Sequence, residues 1–282
     1  MNQIIPFQNY SISEPYGRLG NNLQQVSLGI MFAEKNNYNF YVQSDKYYNS
    51  FELLNRKNDH IFRFFKKKSR FYSFLDTEFE KVDKPLESLT QDYIEDHIQE
   101  IFLKYIKPNL KYFEQRDLPD DLLVIHLRSG DIFEKNKYPQ YVQNPLVFYN
   151  ELIDEFNSVL VVTEEKRNNP LLKELIKNPK IQIQSSNISD DFSTLASAKN
   201  LATSGVGTFA ISAALISNNL KNIYYTNNFL KSHLNPTMIK SKNVVHHKYL
   251  LENFIKINSW NPNEENLLKL FDENIKIKKV LD

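Results

Sequence analysis

The sequence lacks cysteine and is poor in glycine. Its 282 residues include no Cys and only 6 Gly, whereas an average protein of this length contains roughly 20 glycines. The absence of Cys excludes disulfides, thiolate metal sites and a cysteine nucleophile, and it is typical of a reducing, cytoplasmic compartment. There is no long apolar run and no basic start followed by an apolar stretch. We therefore expect a soluble protein without an export signal or a membrane span.

Neither sign of charge predominates. Lys and Arg total 35 against 34 Asp and Glu, a formal net charge of +1, so we expect no bulk attraction to nucleic acid. The Walker A, GxSxG, HExxH and GxGxxG motifs are missing, and so is Asp-x-Asp, the divalent-metal clamp of many nucleotide-sugar enzymes. His246 and His247 are adjacent and point in different directions, which makes them a poor metal pair. We expect no metal ion as a cofactor.

The order of predicted elements indicates an α/β protein. From residue 122 onward, short apolar strands alternate with helices, which is the pattern of a parallel sheet covered on both faces. The predicted strands are 122–127, 158–162, 181–184, 201–203 and 223–225, and the predicted helices are 147–156, 171–176, 191–197 and 207–216. A long helical tail is expected from residue 249 onward.

The part of the chain before residue 122 predicts a second α/β unit. Strands at 4–12 and 38–42 flank a helix with apolar residues at helical spacing, and another helix is expected at 89–106. Pro119 and clustered acidic residues then interrupt the periodicity at 118–121. We place the domain boundary there, which gives an N-terminal domain 1–117 and a C-terminal domain 118–282.

Five of the six glycines fall in three short segments, each at a predicted junction between a loop and a regular element. These are Gly17 and Gly20, Gly130, and Gly205 and Gly207. Glycine adopts positive φ angles and lets other groups come close. Ligands of parallel sheets bind outside the carboxyl ends of the strands. The three segments are therefore the candidate binding loops.

Two of these segments lead into predicted helices. Residues 17–21 read Gly-Arg-Leu-Gly-Asn, and we expect Asn21 or Asn22 to cap the helix that follows. In residues 204–210, we expect Thr208 to cap the next helix and also to contact a ligand. The free amides of a helix start, reinforced by the helix dipole, bind anions. For each segment taken alone, an ordinary connecting or capped turn is the alternative interpretation.

The third segment ends the strongest predicted strand. It reads His-Leu-Arg-Ser-Gly-Asp from His126 to Asp131. Alternation along a strand puts His126 and Arg128 on one face, and an arginine there presents a planar set of donors suited to phosphate oxygens. The alternative is that Arg128 pairs with Asp131 and only fixes the loop. A ligand is favoured because burying His and Arg at a strand end without one costs desolvation free energy.

Two further segments have open interpretations. Asp190 and Asp191 start a predicted helix, where capping is the usual role, and they also lie near a strand end, where they can accept hydrogen bonds from a nucleobase. Residues 64–71 mix aromatic and basic side chains. We interpret them as a solvated basic turn, with a membrane-surface or acceptor-binding patch as the alternative.

Three segments together resemble the signatures of the fucosyltransferase superfamily in their order and separation. They are Gly-Arg-Leu-Gly-Asn at 17–21, His-Leu-Arg-Ser-Gly-Asp at 126–131 and Gly207-Thr208-Phe209. This superfamily includes bacterial α-1,2-fucosyltransferases, α-1,6 enzymes and protein O-fucosyltransferases. The resemblance implies a GT-B-like fold, in which two Rossmann-type domains face a central cleft that holds GDP-fucose. It also implies metal-independent transfer, with inversion at the anomeric carbon, to a glycan acceptor, free or lipid-linked, with at most peripheral membrane contact.

The resemblance implies roles for individual residues as well. Arg128 would hold the β-phosphate of the donor, and His126 would lie by its ribose or phosphate. The remaining implied donor contacts are Gly17, Arg18, Gly20 and Asn21 over the pyrophosphate, Gly207, Thr208 and Phe209 at the phosphate-proximal turn, and Asp190 or Asp191 at the base.

Two positions depart from the family pattern. Ser129 replaces a second Arg that many members have, and Ala210 replaces a Ser. These departures leave another nucleotide sugar open as the donor. A non-catalytic protein that binds a nucleotide sugar or a glycan is a third interpretation. Asp131 and Glu14 are candidates for the catalytic base by location alone, and acceptor contacts are expected from the variable region 45–116.

Overall fold

The chain forms two compact units, Met1–Tyr112 and Phe113–Asp282. The computed structural model describes residues 9–12, 15, 17–53, 67–68, 89–135 and 138–280, with residues 9–10 and 67–68 described as backbone only. Each unit is considered by itself below.

The division between the units lies ahead of the boundary expected after residue 117. The residues after Tyr112 belong to unit two because they are hydrogen-bonded to one of its helices. The backbone amides of Glu114 and Arg116 donate to the hydroxyls of Ser193 (3.1 Å) and Ser197 (2.8 Å). These hydrogen bonds hold the segment along that helix before the first strand of the unit begins.

The described residues of unit one form a four-stranded sheet with a long helix. Its elements are β1 (Asn9–Ile12), α1 (Leu19–Asn36), β2 (Asn39–Val42), β3 (Phe51–Leu53), β4 (Lys67–Lys68) and α2 (Gln91–Ile101), which continues as a π-helical turn, Phe102–Ile106. The strand order is β3-β2-β1-β4, with β1 parallel to β2 and to β4 and β3 antiparallel to β2. The predicted strand–helix–strand arrangement is therefore confirmed as β1, α1 and β2, while residues 4–8 of the predicted first strand lie outside the described residues.

Close packing fixes α1 against the sheet of unit one. Gly29 lies so near the ring of Phe40 that a Cβ atom at this position would overlap the ring. The helix ends where Asn37 adopts a left-handed conformation (φ 55°) and its amide bonds to the carbonyl of Ala33, an ordinary helix stop. Most of α1 is buried, from Leu19 to Ala33.

Unit two contains a seven-stranded sheet. Its strands are β5 (Leu122–His126), β6 (Ser158–Val162), β7 (Ile181–Gln184), β8 (Asn200–Ala202), β9 (Asn222–Thr226), β10 (Val245–Glu252) and β11 (Lys276–Lys279), and its helices are α3 (Leu146–Asp154), α4 (Leu172–Leu175), α5 (Ile188–Ser197), α6 (Phe209–Ile216) and α7 (Glu264–Lys269). The sheet order is β11-β10-β9-β8-β5-β6-β7. Neighbouring strands run parallel except for β11, which pairs antiparallel with β10.

The strand order of unit two is that of a Rossmann fold. Counted from β5 as the first strand, the order β7-β6-β5-β8-β9-β10 is 3-2-1-4-5-6. The expected α/β class is thus confirmed. In this order the chain reverses its direction of travel across the sheet between β5 and β8, and such a switch point is where ligands bind, outside the carboxyl ends of the strands.

The expected helical tail from residue 249 is wrong. Tyr249 lies in the middle of β10, which extends the parallel sheet beside β9, and the remaining tail contains only the short helix α7 before β11. Tyr249 and Leu251 are buried, whereas Lys248, Leu250 and Glu252 are more exposed. This alternation is the period-two pattern of a strand that has one covered face.

Large apolar side chains hold the sheet of unit two to its covering elements. Phe148 of α3 packs edge-on against Tyr249 of β10, with ring centroids 5.5 Å apart. The C-terminal segment returns to the same core, where Trp260 is buried and its amide bonds to the carbonyl of Pro139 (2.9 Å). Burial of each large apolar side chain contributes about 1.5–3 kcal/mol. Among the described residues, no helix is both long and apolar enough to cross a bilayer.

Candidate functional site

Two of the three glycine-marked segments meet at the switch point of unit two. Strands β5 and β8 are parallel neighbours, so their carboxyl ends lie at the same edge of the sheet. His126 is the last residue of β5 and is followed by Arg128, and β8 is followed by the loop that contains Gly205 and Gly207. The structure thus brings the predicted residues of both segments together.

The side chain of Arg128 connects the two segments. Its Nη1 atom lies 3.5 Å from the carbonyl oxygen of Val206, and its Nη2 atom lies 3.5 Å from Oδ1 of Asp131. The face of the guanidinium rests on the ring of Tyr141, with Cζ 4.2 Å from the ring centroid. A Cβ atom added to Gly207 would be 3.7 Å from Nη1. The side chain of Arg128 is 16% exposed, so the charge is nearly covered by protein.

The backbone around Arg128 is fixed by a second layer of hydrogen bonds from the chain after β6. Asn169 donates to the carbonyl of Arg128 (2.8 Å), and Asn168 accepts from the amide of Gly130 (2.5 Å) and donates to its carbonyl (3.1 Å). Gly130 has a φ of +82°, and a Cβ there would overlap the carboxylate of Glu164. The positive φ favours glycine at this position, and a larger residue would also have to displace the Glu164 side chain.

Ser129 points into the protein and not toward solvent. It is fully buried, and its hydroxyl shares a hydrogen bond of 3.0 Å with the hydroxyl of Thr163. This hydrogen bond ties the loop after β5 to the chain that follows β6. Ala210, the other departure, is buried in the first turn of α6.

His126 is buried beneath the site. Its Nδ1 atom lies 3.2 Å from the hydroxyl of Ser204, and its ring centroid is 5.6 Å from that of Phe209, the first residue of α6. Burial, assisted by the positive charge of Arg128, lowers the pKa of His126 to about 3. The imidazole is therefore neutral at neutral pH, and it contacts the hydroxyl of Ser204 and the ring of Phe209.

The loop between β8 and α6 has a backbone that only glycine adopts easily. Gly205 has a φ of +100°, and a Cβ at this position would be 2.5 Å from the carbonyl oxygen of Val142. The loop is bound to that neighbouring segment by the Val206 amide, which donates to Val142 (3.1 Å), and by the Asn144 amide, which donates to Ser204 (3.1 Å). These contacts hold the start of α6 beside Arg128.

Thr208 does not cap α6 with its side chain, so the capping prediction is wrong. It occupies the residue before the helix with a helical backbone (φ −96°, ψ −19°), from which its side chain makes no capping hydrogen bond. Its carbonyl accepts from the amide and the hydroxyl of Ser212 (2.9 and 2.8 Å). The first-turn amides of a helix have no intrahelical acceptor, so the start of α6 presents anion-binding donors toward the carboxyl edge of the sheet.

Asp190 and Asp191 lie in the first turn of α5, and neither is its cap. Asn187 is the cap, because its side chain accepts from the amide of Asp190 (2.9 Å). The Asp190 carboxylate is half-exposed and forms an ion pair with Arg116 (2.8 Å). The Asp191 carboxylate is buried and accepts hydrogen bonds from the side chain of Gln184 (2.8 Å) and the backbone amide of Ser186 (3.1 Å). Burial raises the pKa of Asp191, and the Gln184 hydrogen bond opposes that increase.

The start of α5 lies beside the start of α6. Phe192 of α5 packs on Phe209 of α6, with ring centroids 5.5 Å apart, and Phe209 in turn packs on His126. Both helices follow parallel strands, so both begin at the same edge of the sheet. The two acidic residues are therefore near the Arg128 site, with carboxylates that already have protein partners.

The Gly-Arg-Leu-Gly-Asn segment forms the start of α1 in unit one. Gly17 has a φ of +88°, and the Asn21 side chain folds over it, 2.9 Å from where a Cβ would lie. Arg18 is the residue before the helix, and both Gly17 and Arg18 are exposed. The prediction that Asn21 or Asn22 caps this helix is wrong, because α1 begins at Leu19 and places both in its first turn. Glu14 and most of residues 64–71 lie outside the described residues.

Three comparisons with known proteins give one kind of match. No protein-family model matches the chain, and no curated protein matches it. Solved structures of POFUT1 in complex with GDP and with GDP-fucose are similar, with 11% and 10% sequence identity and TM-scores of 0.39 and 0.40. These alignments cover 78% and 77% of this chain and, in both cases, 98% of the POFUT1 chain.

Several residues that shape the site carry no sequence motif. Tyr141, Asn168 and Asn169 all contact the Arg128 loop from segments at least ten residues away in the chain. Their positions follow from the sheet order, which places the ends of β5, β6 and β8 together. The Asn-Asn pair after a strand is a weak local signal for a turn. Within the described part of the chain, no group of three His, Asp or Glu side chains is arranged to hold a metal ion.

Proposed function

We propose that the chain is a glycosyltransferase that binds a nucleoside diphosphate sugar at the switch point of unit two. The observation that carries the proposal is the position of the Arg128 guanidinium, 3.5 Å from the Val206 carbonyl and beside Gly207 at the start of α6. A guanidinium next to the amides of a helix start is suited to a diphosphate. The motif resemblance makes GDP-fucose the first donor to test and a glycan the acceptor.

In the proposed transfer, an acceptor hydroxyl forms a bond to the anomeric carbon of the sugar while the bond from that carbon to the diphosphate oxygen breaks. The bonding electrons leave with the diphosphate, and its negative charge grows. Arg128 and the first-turn amides of α6 offset this charge without a metal ion. Neutral His126 contributes a hydrogen bond toward the ribose or the phosphate, and the proton of the acceptor passes to a base.

Asp131 fits a supporting role better than the role of that base. An inverting transfer has its base on the face of the sugar opposite the diphosphate. The Asp131 carboxylate lies 3.5 Å from Nη2 of Arg128, the proposed diphosphate ligand. It is therefore on the leaving-group side, and we propose that Asp131 orients Arg128. The position of Asp131 in the sequence also makes it a candidate for the base. In that role its carboxylate would have to move away from Arg128.

The exposed start of α1 is a separate candidate for anion binding within unit one. Gly17 and Arg18 are exposed there, and Asn21 lies in the first turn. We propose that these residues contribute donors to phosphate binding, as the resemblance implies. An Asn21→Ala variant that binds the donor as tightly as the parent protein does would remove this segment from the proposal.

The first experiment is calorimetric titration with GDP, UDP and CMP, followed by an assay of sugar release from GDP-fucose in the presence of EDTA. Selective GDP binding with EDTA-insensitive release supports the proposal. Selective binding of UDP or CMP would reassign the donor, and binding without turnover on a panel of glycan acceptors would identify a binding protein.

Variants of Arg128 test the site assignment. We expect Arg128→Ala to weaken GDP binding about 10- to 150-fold, since a hydrogen bond to a charged group contributes about 1.5–3 kcal/mol. Arg128→Lys keeps the charge but loses the planar donor pair, so its affinity should lie between. Arg167→Ala removes the same charge from an exposed turn and serves as the control. A folded Arg128→Ala protein with full affinity and activity would refute the assignment.

A further inference from the structure

Tyr141 is the residue that touches the face of the Arg128 guanidinium. The distance from Cζ of Arg128 to the ring centroid is 4.2 Å, well within the range of a cation–π contact. Polar contacts of the same guanidinium to Val206 and Asp131 are both at 3.5 Å, the outer limit for a hydrogen bond. Of the contacts to Tyr141, Val206 and Asp131, the stacking on the Tyr141 ring is therefore the one with favourable geometry, and it orients the plane of the guanidinium.

The ring of Tyr141 is itself held in place. It is buried in a small apolar cluster with Ile132 and Val206. Tyr138 packs edge-on against it, with ring centroids 5.6 Å apart. Ile132 comes from the turn directly after Arg128, and Val206 comes from the loop before α6. The cluster thus joins the same two segments that Arg128 joins.

The segment of Tyr141 also sets the position of the loop that Arg128 contacts. The carbonyl of Val142, the next residue, accepts a hydrogen bond from the amide of Val206 (3.1 Å). The carbonyl of Val206 is the one that lies against Nη1 of Arg128. Tyr141 and Val142 therefore fix both the plane of the guanidinium and its distance from the start of α6.

We propose that Tyr141 is a positioning residue for Arg128, holding the guanidinium with its remaining N–H donors turned toward the diphosphate of the donor. The inference rests on the proposed function of Arg128. A long arginine side chain that is free to rotate must lose rotamer entropy when it binds a phosphate. A ring that confines it beforehand reduces this loss, so the expected benefit is in affinity for the diphosphate.

The test is a double-mutant cycle with inorganic pyrophosphate and GDP as the titrated ligands. We expect Tyr141→Phe, which keeps the ring, to bind within about threefold of the parent protein. Tyr141→Leu, which removes the ring, should bind about 2- to 30-fold more weakly, the range of a cation–π contact. In an Arg128→Ala background the same change to Leu should cause no further loss. Phe133→Leu, which removes a ring that packs on the same cluster and on Trp260, controls for the loss of an aromatic side chain.

An equal loss of affinity from Tyr141→Leu in the presence and absence of Arg128 would overturn the inference, because the ring would then only support the fold. A second measurement needs no ligand. The NMR signal of the Arg128 Nε–Hε group, assigned by its absence from Arg128→Ala, should keep its ring-current shift in Tyr141→Phe and lose it in Tyr141→Leu. An unchanged signal in both would contradict the positioning role. If the parent protein binds neither ligand while the signal shifts as expected, the proposed function fails and the contact stands.

Discussion

Acidification is expected to destabilise the protein through His126. The folded state holds this imidazole neutral, because burial and the neighbouring Arg128 lower its pKa to about 3. In the unfolded chain the imidazole has an ordinary pKa of about 6.5. Below that value the unfolded state binds a proton that the folded state does not bind. The contribution of His126 to stability is therefore fully present above pH 6.5 and is lost as the pH falls toward 3.

The size of this effect follows from the two pKa values. At pH 5 the unfolded imidazole is mostly protonated and the folded one is not, so linkage predicts a loss of about 2 kcal/mol relative to pH 7. The burial of His126, which is 8% exposed and bonded to Ser204, argues against solvent reducing this figure substantially. A loss of this size is a large share of the stability of a typical domain.

The assay is urea unfolding of the parent protein and of His126→Gln at pH 7, 6 and 5. Carboxylates that titrate in the same range are shared by both proteins and cancel in the difference. The parent protein should lose about 2 kcal/mol more than the variant between pH 7 and pH 5. Identical pH dependence in the two proteins would refute the claim that the folded state keeps His126 neutral.

Two further substitutions test the framework around Arg128. Gly205→Ala puts a Cβ 2.5 Å from the Val142 carbonyl at a φ of +100°, so it should lower the free energy of unfolding by more than about 1–2 kcal/mol. Gly207→Ala is the matched control, because its Cβ would make only ordinary contacts with Nη1 (3.7 Å) and Cδ (3.9 Å) of Arg128. Equal urea midpoints for the two variants would contradict the strain argument. Trp260→Phe removes the hydrogen bond that Nε1 donates to the carbonyl of Ile132 (2.8 Å). It should lower the free energy of unfolding by about 1–3 kcal/mol, because the buried carbonyl loses its donor. An unchanged free energy of unfolding would show that water replaces the indole.

Local sequence patterns were sufficient where an element is defined by its own residues. The run of apolar residues after Asp121 predicted β5, and the bounds of β6 and β7 agree with the predicted 158–162 and 181–184. β5 and β6 lie inside the parallel sheet, where burial makes nearly every residue apolar, whereas β7 lies at the sheet edge and alternates Ile with Gln. The same reasoning placed His126 and Arg128 at a carboxyl end, and the sheet order confirms that location.

Patterns failed where distant parts of the chain decide the outcome. β10 forms because Val245–Glu252 can pair with the edge of β9. The residues of this segment do not by themselves decide between a strand and a helix, because strand formation depends on the neighbouring strand. The cap predictions at Asn21, Asn22 and Thr208 were wrong because a cap depends on the backbone angles of one residue, which composition does not specify. Tyr141 reaches Arg128 only through the folded sheet, so no spacing within the sequence could have identified it.

The central claim is that a diphosphate binds between Arg128 and the start of α6. A crystal structure of the protein with GDP tests it most directly. The β-phosphate is expected within hydrogen-bonding distance of the Arg128 guanidinium and of backbone amides at Gly207, Thr208 or Phe209, with the Tyr141 ring still against the arginine. A diphosphate bound elsewhere, with Arg128 still turned toward Asp131, would contradict the account.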